Sequence, residues 1–309
     1  MRAVVQTSAS RLLPDRIEAI TRPPSRGARR VAQGLRPIND ADLIHGLDVD
    51  LPLWSSSPTV STVHDLSVFD VPLAFSRYRA AGERLVVRRS IARADALIAV
   101  SAFTAERIEH HFGRTATVIP LAAPAIVDPF RPADVDRVRA RHALPDRFVL
   151  QLATIEPRKD VAMLAEACAA NDVPLVLAGA DPDGRAPTGA KHLGYVATDD
   201  LQPLLAAADV VAYISHYEGF GLPPLEAMAR GRPVVASAVG GLPDVAADGA
   251  ELVRPGDVDQ LAKVIGELWH DDDRRRELGE RGRIAAGRLS WSATAAATLD
   301  VYRTLGLSV

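Results

Sequence analysis

Glu218-Gly-Phe-Gly-Leu-Pro-Pro-Leu-Glu-Ala-Met-Ala-Arg-Gly-Arg-Pro-Val-Val-Ala-Ser237 reads as a glycine-rich loop, a short helix and a strand in succession. Gly219 and Gly221 let the backbone approach a ligand closely, and Pro223 and Pro224 pre-set the first helical turn. The start of that helix carries N–H groups with no partner inside the helix, an arrangement that attracts phosphate. Glu218 precedes the helix and Glu226 falls about one turn inside it, so one bound molecule can lay a hydroxyl-rich part on each carboxylate with phosphates between. A nucleotide sugar has that shape. The competing reading is a glycine-rich turn and an amphipathic helix that merely join two strands of an α/β domain.

Outward from this stretch, the C-terminal half alternates β-branched apolar runs with helical segments, the pattern of a doubly wound parallel sheet. Strands are expected at Phe148–Thr154, Val173–Ala178, Val210–Ser215 and Pro233–Ser237, and helices at about 160–170, 201–208, 223–230, 257–270 and 273–286. Ligands of such sheets sit at the carboxyl ends of the strands, and the loop at Glu218 leaves one of them. The N-terminal half is less regular. Short buried strands are expected at Ala41–His45, Thr59–His64 and Ala94–Val100, with a helix at about 77–92 and another capped by Ser101. Four prolines between Ile119 and Pro132 preclude a long regular element there and suggest a linker.

The passage from Glu218 resembles the Glu-x7-Glu signature of retaining glycosyltransferases of the GT-B fold, specifically family 4. The resemblance implies two Rossmann-like doubly wound parallel-sheet domains facing a cleft, with the C-terminal helix crossing back to the first domain. The domains would be 1–124 on the acceptor side, a linker at 125–146, 147–290 for the nucleotide sugar, and the crossing helix at 291–309. Trp291, Leu299 and Tyr302 share one face of that last segment; an end cap of the second domain is the other reading of it.

Several further residues carry the resemblance. It gives Glu218 the donor sugar's hydroxyls, Gly219, Phe220, Gly221 and Leu222 backbone contacts to sugar and diphosphate, and Glu226 the ribose. The segment Leu152-Ala-Thr-Ile-Glu-Pro-Arg-Lys-Asp-Val leaves a strand and enters a helix, placing Arg158 and Lys159 where two cations would stabilise charge on a departing diphosphate. Lys159 falls on the lysine of the family's phosphate-binding loop, whereas Thr154 stands where a further basic residue often follows the strand. A solvated helix start with a Glu156–Arg158 pair is the plainer reading. Val63-His-Asp-Leu-Ser is similar to the family motif whose His, here His64, lies near the donor sugar; a hydrogen bond stiffening the loop explains the His-Asp pair too. Tyr195 and Val196 match a loop that contacts the base through its backbone, and His45 and His216 are further cleft candidates.

Composition narrows the class. With 309 residues, 48% hydrophobic and 24% charged, the chain has room for two α/β domains and the balance of a soluble protein. No apolar run reaches the 18 residues of a membrane span, and the N-terminus lacks a secretory signal, so a cytoplasmic location is expected. Residues 1–114 hold 16 Arg against 12 acidic residues, which leaves peripheral contact with the inner face of a membrane open. The 33 Arg far outnumber the three Lys, Lys159, Lys191 and Lys263. The lone Cys168 has no partner for an internal disulfide and reads as a small core residue. Neither a zinc-ligand spacing nor a Gly-x-x-x-x-Gly-Lys or Gly-x-Gly-x-x-Gly phosphate loop occurs. Asp48–Asp50 and Asp181–Asp183 form Asp-x-Asp pairs read as turn residues, so no metal, no cofactor and no nucleic-acid partner are expected; the nucleotide sugar is a substrate.

The expected activity is hexosyl transfer from a UDP- or GDP-sugar to an acceptor hydroxyl, in polysaccharide or glycoconjugate synthesis. Two alternatives stand beside it: a non-catalytic sugar-nucleotide-binding partner of another transferase, and a nucleotide-sugar epimerase of the same fold. The chain departs from the family near its start, where Thr7-Ser-Ala-Ser-Arg-Leu-Leu-Pro-Asp replaces a glycine-rich loop and no glycine occurs before Gly27. The first domain therefore reads as shortened, and acceptor binding is the function this affects.

Overall fold

The computed structural model describes residues 2–6, 15, 17–22, 32, 35, 36, 38, 41–124 and 131–307. The stretch Thr7–Pro14, Gly27 and most of the proline-rich segment after Pro124 lie outside the described residues. Among those described, the strands form three parallel sheets. Strands β1 (Arg2–Gln6) and β2 (Glu18–Arg22) pair with each other. A four-stranded sheet runs in the order β3 (Ile44–Gly46), β4 (Thr59–Val63), β5 (Ala96–Ala99) and β6 (Thr117–Val118). Helices α1 (Ser67–Asp70), α2 (Arg77–Arg93) and α3 (Ala102–Phe112) connect it.

The second half carries α4 (Pro132–His142) and then a six-stranded sheet. Its strands are β7 (Val149–Leu152), β8 (Leu175–Ala178), β9 (Lys191–His192), β10 (Val210–Tyr213), β11 (Val234–Ser237) and β12 (Glu251–Val253). The helices between and after them are α5 (Val161–Ala169), α6 (Thr198–Ala207), α7 (Leu222–Ala229), α8 (Leu242–Ala246), α9 (Val258–His270) and α10 (Asp272–Ala286). Spatial order is β9-β8-β7-β10-β11-β12, that of a dinucleotide-binding Rossmann sheet. The direction of winding reverses between β7 and β10.

Side-chain alternation explains why both faces are covered. Leu150, Val176, Val211, Tyr213, Val234 and Ala236 point into one buried cluster with α6 and α7, while Val149, Leu175, Leu177, Val210, Ala212 and Val235 point into another with α5 and α9. Cys168 packs in the second cluster, and burial pushes its thiol up to about 12.

The segment 125–146, expected as a linker, contains α4 within it. Pro132 opens that helix, where a missing N–H costs nothing. Buried Val138 and the pairing of Arg137 and Arg141 with Asp200 tie it to α6. Helix α6 starts three residues before the expected 201, the acidic Asp199 and Asp200 occupying its first turn.

The final helix α11 (Trp291–Thr304) lies on the four-stranded sheet. Val301 joins Val60, Ile98 and Ile119 in a buried cluster, and Thr294 Oγ1 donates to Pro120 O at 2.7 Å. This is the crossing helix of the GT-B arrangement. His45 belongs to its seat: Nδ1 meets Tyr302 Oη at 2.7 Å and Nε2 meets Thr62 Oγ1 at 2.8 Å. His45 was expected after a strand; it lies in the middle of β3, and its ring is taken up by Thr62 and the last helix.

Candidate functional site at the strand-order reversal

Where winding reverses, the loops after two adjacent strands diverge and leave a crevice. Here those loops are 153–160, after β7, and 214–221, after β10. They are tied together by backbone bonds, Asp160 N to Ile214 O at 3.2 Å and His216 N to Arg158 O at 2.8 Å. Asp160 also caps α5 by accepting from Met163 N and pairs with exposed His216 at 3.2 Å. These bonds bring residues some sixty positions apart in sequence side by side.

The Lys159 ammonium donates to Glu218 Oε1 and, at 2.5 Å, to Tyr213 Oη, and lies 4.1 Å from the centre of the Tyr213 ring. Lys159 and Glu218 are 5% and 6% exposed. Arg158 Nη1 donates to Glu218 Oε1 and to Tyr217 O, both at 3.3 Å, and its Nε donates to Glu156 Oε2 at 3.1 Å. The Glu156–Arg158 pair of the plainer reading is therefore present, and the same guanidinium also reaches Glu218. Burial pulls the Lys159 ammonium down to about 8, with the Glu218 carboxylate pulling the other way. Burial likewise raises Tyr213 well above the ordinary phenol value, which keeps its hydroxyl protonated.

Three close approaches fix the backbone around Glu218. A Cβ on Gly219 would stand 1.9 Å from His64 O, and one on Gly240 would stand 1.9 Å from Glu218 O. Gly241 N donates to Glu218 O at 3.0 Å. Gly221 takes φ +107 as it opens α7, where a side chain would meet Leu242. Phe220 turns into the core. Leu222 begins α7; Pro223 and Pro224 carry no N–H and Leu225 N donates to Gly221 O at 3.2 Å, so in the first turn it is the N–H of Leu222 that the helix leaves for the loop.

Glu226, in α7, is half-buried, and its Oε2 accepts from Gln202 Nε2 at 3.3 Å. Burial raises its carboxyl, against the pull of Gln202 and Arg230. His64 is exposed at the end of β4 and its Nε2 donates to Leu47 O at 2.8 Å; its backbone carbonyl lies against Gly219. Tyr195 is 80% exposed just after β9, while its neighbour Val196 is buried in the core. The Asp181 carboxylate accepts from the N–H groups of Arg185 and Ala186, the turn role expected of it.

The structure thus gathers Glu218, Lys159 and Arg158 at one point, puts His64 beside the same loop from the other domain, and sets Glu226 further along α7. Sequence reading missed Tyr213, Gln202, Gly240 and Gly241. The pair of glycines two residues beyond β11 was a usable sign for the last two, since glycine often marks a close backbone approach.

Residues 134–285 match the family described as "Glycosyl transferases group 1", and residues 3–123 match "Glycosyltransferase Family 4". The chain is 33% identical to an O-antigen chain mannosyltransferase B of Escherichia coli over 298 residues, covering 90% of this chain and 78% of that protein. It is also 33% identical to a D-inositol 3-phosphate glycosyltransferase of Xylanimonas cellulosilytica, covering 82% of this chain and 66% of that one. Among solved structures, Anabaena HepE in complex with UDP-glucose shares the fold, with a TM-score of 0.76 and 23% identity over 93% of this chain and 86% of that one. On this similarity across both halves, the chain belongs to the group 1 glycosyltransferases and has the GT-B fold.

Proposed function

We propose that this glycosyltransferase moves a hexosyl group, with a mannosyl group the first to test, from a nucleoside diphosphate sugar to an acceptor hydroxyl with retention at the anomeric carbon. The observation that carries the reading is the Glu218–Lys159–Arg158 cluster at the reversal of strand order. The mannosyl choice rests on the named activity of the Escherichia coli relative.

In this reading Glu218 holds sugar hydroxyls, Glu226 the ribose, and backbone N–H groups of Gly219 to Leu222 the diphosphate. The bond from the anomeric carbon to the phosphate oxygen breaks with its electron pair going to the diphosphate. The acceptor oxygen bonds to the same carbon from the leaving-group side and gives its proton to a diphosphate oxygen. Lys159, Arg158 and the start of α7 stabilise the departing charge, needing no metal for it. A double displacement would instead need a free carboxylate nucleophile; Glu218 is held by two cations, which favours a binding role. His64 contributes a hydroxyl contact from the first domain.

The test is transfer from a panel of UDP- and GDP-sugars with and without chelator, reading the product's anomeric configuration by NMR. Retained configuration with chelator present supports the proposal; inversion, or donor bound without any transfer, contradicts it. Peripheral membrane contact is proposed for the first domain, where Leu53, Trp54, Tyr78 and Leu85 are exposed and α2 carries the last two together with Arg77 and Arg88. Among the described residues no helix is long and apolar enough to cross a membrane. Sedimentation with anionic vesicles tests the contact, and equal recovery with neutral vesicles argues against it.

A further inference from the structure

Tyr217 immediately precedes Glu218, yet its side chain turns away from the donor loop and enters the first domain. Its hydroxyl donates to Asp70 Oδ2 at 3.0 Å and accepts from Leu66 N at 3.2 Å. Its ring meets Phe103 edge-on at 5.5 Å, and the residue is 5% exposed. Asp70 is itself fixed: Arg107 Nη2 donates to Oδ1 at 2.6 Å and its Nε lies at 3.1 Å from both carboxylate oxygens, while His111 Nε2 stands 2.8 Å from Oδ1. On the other side of the same residue, Tyr217 O accepts from Arg158, the guanidinium that also reaches Glu218.

We infer that Asp70 and Tyr217 form a cross-domain latch that holds the sugar-side loop in register, making both of them positioning residues for Glu218. The inference rests on the transferase reading of the site and adds the first domain to its machinery. A folding role alone does not require the phenol: Phe103 and burial of the ring already anchor residue 217. The hydroxyl adds a directional bond to a carboxylate that three other donor atoms hold still. Ser101 Oγ donating to Gly219 O at 2.6 Å supports the same loop from the same domain, two residues further on. The carboxylate that holds the sugar therefore sits between Tyr217, tied to the first domain, and Gly219, tied to it again.

Displacing a positioned group by a fraction of its contact distance lowers the rate of the chemical step more than it lowers affinity when other contacts carry binding. Arg158 bonds only the backbone carbonyl of Tyr217, which Tyr217→Phe leaves in place, and the ribose contact at Glu226 lies further along α7. The Tyr217→Phe protein, which keeps the ring, is therefore expected to lose at least about tenfold in kcat with donor KM changed less than threefold, in keeping with loss of one hydrogen bond to a charged group. Asp70→Asn, which keeps an acceptor, is expected to retain most turnover. Asp70→Ala should match Tyr217→Phe, and the double variant should be no worse than either alone.

Hydrogen exchange of the peptide spanning 215–222 reads the latch without any donor and should rise in Tyr217→Phe and Asp70→Ala. If kcat of Tyr217→Phe stays within twofold of wild type, the positioning role is overturned; if exchange is unchanged as well, so is the latch. Absence of transfer by the wild-type protein from every nucleotide sugar would overturn the transferase reading separately, with exchange still deciding whether the latch exists.

Discussion

Glu218 and Glu226 lie on one loop-and-helix unit, but the fold provides for them differently. Glu218 is buried against an ammonium and a guanidinium, with its backbone enclosed by Gly219, Gly240 and Gly241. Glu226 is half-buried against the neutral amide of Gln202, and burial raises its carboxyl. The loop carboxylate is fixed in place and compensated by charge; the helix carboxylate is merely held by one long hydrogen bond. A reacting centre needs the first kind of environment, because misplacement there costs rate, and a ribose contact tolerates the second.

The largest way to break this contrast is Lys159→Met. We expect kcat to fall by about 10² to 10³, the loss typical of removing one group that stabilises developing charge. Stability should fall by about 3 kcal/mol, since a buried carboxylate loses one of its two cations. Adding Glu218→Gln should restore the melting temperature without restoring turnover. Recovery of both would mean that the pair is structural.

A titration sharpens the same contrast with a smaller effect. Because burial lowers the Lys159 ammonium from its ordinary 10.5 to about 8, the charge needed by the diphosphate is lost as pH rises through about 8. Donor kcat/KM, which reports the free enzyme, should therefore decline above about pH 8. The folded value lies below the unfolded one, so the fold is penalised for carrying the charged lysine at lower pH, and this group's contribution to stability improves between about pH 8 and 10.5. Activity and this term of stability thus move in opposite directions. The same alkaline decline in Lys159→Met would assign it to another group.

Much of this was legible because it is local. Alternating β-branched runs give the second sheet, and the glycines and prolines around Glu226 give its loop and helix. Resemblance to a family placed Lys159 and Glu218 at one donor site, but not their direct bond, since no spacing within either loop specifies a partner about sixty residues away. What remained hidden depends on distances across the fold. Gly240 is required by the carbonyl of Glu218, Tyr217 bonds a residue 147 positions earlier, and His45 is claimed by Tyr302. The short edge strands β9 and β12 and the proline-led helix α4 lacked sufficient local pattern.

His45 provides the smallest effect and lies at the opposite pole from Lys159, as a half-buried base whose ring bonds two neutral hydroxyls, those of Tyr302 and Thr62. Burial lowers its imidazole from 6.5 to about 4. Its contribution to stability is complete above about pH 6.5 and is lost as pH falls toward 4, as protonation favours the unfolded chain. Tyr302→Phe should cost about 1 kcal/mol at neutral pH and loosen α11 from the first sheet. Melting curves between pH 4.5 and 7 check both, and an acid sensitivity unaffected by His45→Gln would locate the effect elsewhere.

The most direct test of unequal roles for the two carboxylates is calorimetric titration of Glu218→Ala and Glu226→Ala with the preferred nucleotide sugar and with its bare nucleoside diphosphate. The expected result is that Glu226→Ala weakens both ligands by similar factors, whereas Glu218→Ala leaves the bare diphosphate bound at least as tightly, its two cations released, and abolishes any advantage of the sugar-bearing donor. Equal weakening of both ligands by Glu218→Ala, or unchanged binding of both by Glu226→Ala, would contradict the assignment.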